Sequence, residues 1–190
     1  MTPIRVADLG VEPVSLAEMR AVLRLGSDET AEDALVLALI ASARAAVEAA
    51  SRRLLRRARF RVLLLGWPAD GLLPLPLSPL VAIERVGLVE SNGAVTPVAA
   101  PVGLGPDPWD APCLTIGRDR PALEGRTILI EVIAGCGGDG PPVPEPLAQA
   151  VRLTVADGFE SRGDGQEAGP PRALPPAAAG LCAACRRMRL

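Results

Sequence analysis

Apolar residues recur at helical spacing over the first 55 positions of this 190-residue chain, alternate with polar ones through the middle, and return to helical spacing after Pro144. Ser15-Leu16-Ala17-Glu18 has the form of a capping box, in which the serine oxygen accepts the N3 amide proton while the glutamate reaches back to the N-cap amide. It predicts a short helix that runs to Leu25 and stops at Gly26. A second start, Ser27-Asp28-Glu29-Thr30, opens the longest helix, from about Thr30 to Leu55, with Leu35, Leu39, Ala46, Ala50 and Leu54 on one face. Other faces carry Val36, Leu37, Ile40, Ala43 and Val47. Between Ala34 and Ala50 the charges are Arg44 and Glu48 alone, an i,i+4 pair expected on one solvated strip. A helix apolar nearly all round requires cover on two sides. Val36, Ile40, Ala43 and Val47 are therefore expected at a subunit interface.

From Arg59 the period becomes two, with Phe60, Val62 and Leu64 pointing one way and Arg59 and Arg61 the other, until Gly66-Trp67-Pro68 ends the strand. Leu72 to Leu77 alternates leucine with Pro74 and Pro76 and suits only a sheet edge or an extended ribbon. Val81 to Val89 and Val95 to Val98 flank Asn92-Gly93 as a hairpin. A Gly/Pro-rich loop follows from Pro101 to Pro112, then strands from Cys113 to Ile116 and from Arg126 to Ala134. Pro144 and Pro146 suit the first turn of a third helix, which carries Leu147, Val151, Val155 and Phe159 at intervals of four and ends near Gly163. The pattern predicts an α+β fold: a three-helix core with one long central helix, a small antiparallel sheet with hairpins, and an extended C-terminal tail. Its divisions are a domain over 1–163, a Pro/Gly linker over 164–176 and a tail over 177–190.

Composition narrows the chemistry. Apolar residues make up 49% and aromatics 2%, with no tyrosine, so the core is built of Leu, Val, Ile and Ala. There is no histidine, and all 20 residues counted as Lys+Arg are arginine. These absences remove His-dependent nucleophiles, His-ligated zinc, Schiff-base lysines and the P-loop lysine. Net charge is −2, but Ser51 to Arg61 holds six arginines and no acid. Arg52, Arg53, Arg56 and Arg57, at i, i+1, i+4 and i+5, are expected on one helix side, facing either DNA or an acidic partner, or else solvent and intersubunit pairs. Cys182-Ala-Ala-Cys185 reads either as a redox or metal motif, with Cys113 and Cys136 as further ligands, or as small apolar packing of the tail. The acids Asp28, Glu29, Glu32 and Asp33 suit a helix N-terminus, and Gly135 to Gly140 a strand-to-helix loop. The N-terminus lacks the pattern of a signal peptide and the Ala34 to Ala50 run is interrupted by charge, so a soluble cytoplasmic protein with no membrane partner is expected.

The order of these short motifs resembles the head-to-tail connector (adaptor) proteins of long-tailed phages and gene transfer agents. The resemblance rests on Pro13-Val14-Ser15-Leu16-Ala17-Glu18, on Asp33-Ala34-Leu35 with Ile40 to Glu48, and on Gly66-Trp67-Pro68 with Leu75 to Leu80. It extends through Ala134-Gly135-Cys136-Gly137 and Val143 to Ala150 to the closing Arg186-Arg187-Met188-Arg189-Leu190. It implies a structural subunit without catalytic activity or cofactor. Such a subunit forms a homo-oligomeric ring, twelvefold to match the portal, between the portal protein and a stopper or tail-terminator protein. The ring gives DNA a channel with transient, non-specific contact. The location implied is the neck of a virion or phage-like particle assembled in the bacterial cytoplasm. Leu181, Arg186, Arg187, Met188, Arg189 and Leu190 are expected to form a portal-docking tail that reaches away from its own domain. The alternatives are a CxxC-dependent redox or metal-binding protein and an arginine-cluster nucleic-acid-binding regulator.

Overall fold

Ser15 caps the first helix as its sequence requires: its Oγ accepts the Glu18 amide at 3.2 Å, and the Glu18 carboxylate accepts the Ser15 amide at 2.7 Å. In the computed structural model, which describes residues 2–26, 30–123, 125–161 and 174–187, this cap opens α1 (Leu16–Val22). The hydrogen bonds from Ser15 hold the Glu18 carboxyl below its ordinary value of 4.5. The cap's contribution is therefore complete above that pH and is lost as the pH falls through the lowered value.

The long helix, α2, spans Asp33–Ser51 and is shorter than its sequence suggests. The expected start at Ser27 to Glu29 lies outside the described residues. At the other end Arg52 adopts the left-handed conformation with φ of 59°, and the Glu48 carboxylate accepts the Leu55 amide at 2.8 Å. That side-chain acceptor takes the chain out of the helix where the apolar period alone continues it. Two further helices follow, α3 (Glu145–Glu160), with Pro146 in its first turn, and α4 (Pro176–Ala184). Among the described residues there are thus four helices where three were expected, and part of the expected extended tail is helical.

These helices share one core. Val36, Ile40, Ala43 and Val47 of α2 meet Leu147, Val151 and Val155 of α3, Met19 of α1, and Ala178 and Cys182 of α4. Val36, Ile40 and Val47 are 0% exposed, and Ala43 is 3% exposed. The four residues expected at a subunit interface are instead the inward face of the helix, because the subunit's own α1, α3 and α4 supply the cover that the apolar period demands.

Arg44 is correspondingly misplaced by the sequence pattern. It is buried rather than solvated, with Nε 2.7 Å from Glu12 and Nη1 2.9 Å from Glu48. The two carboxylates compensate the desolvation of the guanidinium and hold it charged. By length and composition α2 is apolar enough to cross a membrane, yet its Val/Ile face and this ion triad are spent inside the helical unit.

The described strands form two antiparallel sheets. β1 (Ile4–Asp8), β2 (Ala58–Leu64), β8 (Thr127–Ala134), β4 (Leu80–Val89) and β5 (Val95–Pro97) lie side by side in that order. β3 (Leu72–Pro74), β7 (Cys113–Ile116) and β6 (Val102–Leu104) make the second sheet. β8 is central and buried on both faces, as its near-continuous apolar run Ile128-Leu129-Ile130 suggests. On one face Phe60, Val62 and Leu64 stand opposite Val132, Ile130 and Ile128. Its one acid, Glu131, is buried and lies in register between Arg61 and Arg85, pairing with Arg61 at 2.8 Å. Asn92-Gly93 turns the β4–β5 hairpin with Gly93 at φ of 81°. The proline-bearing β3 is an edge strand, as expected.

By packing, residues 2–11 and 56–142 form one unit and 12–55 with 143–187 another, so the chain enters each unit twice. The expected 1–163 domain spans parts of both units, and the helical unit includes α4.

Replacing Arg44 with alanine removes the cation shared by two semi-buried carboxylates and should cost about 3–5 kcal/mol, read from urea unfolding. Gly135, at φ of 110°, would place a Cβ 2.3 Å from the Arg56 carbonyl oxygen. Gly135→Ala should lower stability by about 1–3 kcal/mol in the same measurement.

A candidate assembly surface

With Arg44 and the Val/Ile row turned inward, the outward face of α2 is Ala34, Leu35, Leu37, Ala38, Ser42, Ala45 and Ala49, all exposed. Leu35 is 37% and Leu37 49% exposed. The exposed side chains of this face, which runs about four turns, carry no charge; Arg44 and Glu48, at i+7 and i+11 from Leu37, border it but are withdrawn into their own ion pairs. Sequence periodicity missed it because Arg44 and Glu48 looked like the solvated strip. The available signal was Glu12, an acid outside the helix able to hold Arg44 inside.

α4 lies in the helical unit against α2 and α3, burying Ala178 and Cys182, with Leu181 and Cys185 packed partly against the core. Two bonds from and to the end of α2 fix the chain beyond it: Arg53 Nε donates to the Cys185 carbonyl at 2.8 Å, and the Arg187 amide donates to the Ser51 carbonyl at 3.0 Å. The segment expected to reach away is therefore seated on its own unit as far as Arg187. Its small residues, a poor core on their own, pack against the two larger helices. Leu181 is partly buried there and Arg186 is exposed, while Met188, Arg189 and Leu190 lie outside the described residues. The outward side of α4 is Ala177, Ala179, Gly180, Ala183 and Ala184, again without charge.

The arginine cluster does not share one helix side. Because α2 ends at Ser51, Arg52 sits exposed at the left-handed cap and Arg53 folds down, 7% exposed, onto Cys185. Arg56 and Arg57 belong to the sheet unit. Arg56 Nε donates to the Gly10 carbonyl at 2.8 Å and its Nη1 lies 3.2 Å from Asp8, while Arg57 Nη1 is 2.8 Å from Asp139. Gly138 lies so close to the Arg57 guanidinium that a Cβ there would be 2.6 Å from Nη1, so this loop glycine makes room for an arginine. Arg59 pairs with Glu84 across the sheet, through Nη2 at 2.6 Å. The cluster that looks like an open basic patch is largely consumed inside the chain.

The cysteines are likewise dispersed. Cys182 is buried on α4, and burial, with a smaller contribution from neighbouring Cys185, pushes its thiol above the ordinary value. A nucleophilic or metal-binding cysteine needs the opposite shift. Cys113 lies on β7 and Cys136 in the loop after β8, both in the sheet unit. Among the described residues no three His, Cys, Asp or Glu side chains gather as a metal site.

No family model matches the chain, and comparison with curated proteins found no match. Solved structures do match. A chain in the neck of the empty gene transfer agent (GTA) particle computed with C6 symmetry is 32% identical, with a TM-score of 0.80, covering 100% of this chain and 97% of that one. A chain in the virion of the native GTA particle is 32% identical over the same shares, with a TM-score of 0.78. One in the neck of the native GTA particle computed with C12 symmetry is 30% identical, again over 100% and 97%, with a TM-score of 0.74. Agreement in sequence and backbone from end to end means that this chain belongs to the neck proteins of gene transfer agent particles.

Proposed function

We propose that this protein is a head-to-tail connector (adaptor) subunit. Copies of it form a ring in the particle neck, between the portal protein and a stopper or tail-terminator protein, around a channel for DNA. The observation that carries the reading is the full-length likeness to neck chains, including one in a neck computed with C12 symmetry, which supports a twelvefold ring. The work of such a subunit is packing and docking rather than chemistry. The paired state of Arg53, Arg56 and Arg57 favours a structural use of the cluster, with exposed Arg52 the member best placed for transient DNA contact.

Docking on the portal falls to the end of the chain, but from a later point than the sequence suggests. α4 is committed to the helical unit, so the docking role proposed for the tail rests on exposed Arg186 and on Met188, Arg189 and Leu190, which lie outside the described residues. The mix of arginine with Met188 and Leu190 suits an apolar groove rimmed by acids.

Purified protein should form a ring, or join a ring when portal protein is added, in mass measurements on the full chain; persistent monomer in both conditions overturns the adaptor reading. Deleting 188–190 should leave the melting temperature unchanged and weaken portal attachment at least tenfold in a pull-down titration. Deleting from Pro176 should instead destabilise the helical unit by removing Ala178 and Cys182 from its core. Cys182→Ala with Cys185→Ala should cost about 1 kcal/mol of stability through lost packing and leave assembly within a few-fold of wild type. Stoichiometric zinc lost in that double variant would favour the metal alternative.

A further inference from the structure

Two helical faces in one unit lack the chemistry that water rewards. α2 directs its charges inward, to Glu12 and between Arg44 and Glu48, and offers solvent alanine, leucine and serine. Isolated apolar residues on a surface are ordinary, but a face of about four turns with no exposed charge marks a contact surface. α4 offers a second uncharged face, which is smaller and flatter.

Gly180 adds an independent observation. It sits inside α4 without a positive φ, and a Cβ built on it would meet nothing within 4 Å among the described residues. Neither its own backbone nor its own neighbours require glycine there. A glycine inside a helix lowers stability relative to alanine, a loss that makes sense where another backbone must come close.

We propose that α2 of one copy packs through Leu37, Ala38 and Ala45 against the Ala179–Ala184 face of α4 on the next copy, with Gly180 giving the room for close approach. This rests on the ring reading, and the symmetry of the related necks argues for the occupant. In a cyclic ring every contact is heterologous, joining two different patches, so each copy must carry two complementary surfaces. α2 supplies the projecting leucines and α4 a flat face of small residues that lets them come close. Because both faces are uncharged, closing them together strands no ion away from water.

The experiment compares full-length wild type with Leu37→Glu, Gly180→Leu and Gly180→Ala, by light-scattering mass over a concentration series, alone and with portal protein, and by thermal melting. The replaced groups are exposed, so Leu37→Glu should melt near wild type and Gly180→Leu at or above it, the latter through better helix propensity, while both remain monomeric under conditions where wild type forms rings. Gly180→Ala should melt higher yet need at least tenfold more protein to assemble, a pairing that a purely structural glycine does not give. Ring formation by Leu37→Glu or Gly180→Leu at the wild-type concentration, or easier assembly of Gly180→Ala, overturns the α2–α4 contact while leaving the ring intact. Normal rings that fail only to bind portal also overturn it, assigning these faces to the portal instead. Wild type that stays monomeric in every condition sinks the ring reading first.

Discussion

The guanidinium of Arg44 decides which way the longest helix faces. A charge pulled out of water is tolerable only with compensating charge close by, and Glu12 and Glu48 provide it at 2.7 and 2.9 Å. Beside that triad the Val36, Ile40 and Val47 row lies inside too, in the core shared with α1, α3 and α4. What remains for the outside is a face of alanines and two leucines. The same Glu48 also accepts the Leu55 amide and so sets where α2 ends and where the arginine-rich segment leaves the helical unit.

Much of the fold was legible because it follows from local rules. The Ser15 capping box, the Asn92-Gly93 hairpin, the proline-bearing edge strand and the proline-led start of α3 each depend on a few neighbouring residues, and each is found. Elements that escaped the sequence have weak local signals. β1 is short and exposed for most of its length, and β6 is three residues inside a stretch rich in glycine and proline. α4 is an Ala-rich segment whose helix depends on burying Ala178 and Cys182 against distant parts of the chain.

The candidate surface was harder to read because it depends on partners remote in sequence. An i,i+4 Arg–Glu pair looks solvated until Glu12, 32 residues before Arg44, is brought to it. Four arginines at helical spacing look like one basic stripe until the helix stops at Ser51 and divides them between two units. Resemblance to connector proteins carried the functional class correctly to the particle neck, whereas residue-level expectations drawn from periodicity placed the wrong face of α2 outward.

The sheet edges bear on how such subunits avoid the wrong kind of association. The five-stranded sheet ends in β5, which contains Pro97, and in β1, whose pairing is broken by a register shift between Arg5 and Ala7. The three-stranded sheet ends in β3, which contains Pro74, and in β6, which follows Pro101. Prolines and irregular pairing blunt a strand against recruiting another. Open-ended strand-to-strand stacking, which leads to fibres, is thereby discouraged at each border, and a chain made in many copies is left to join its neighbours through side chains, where geometry can close a circle.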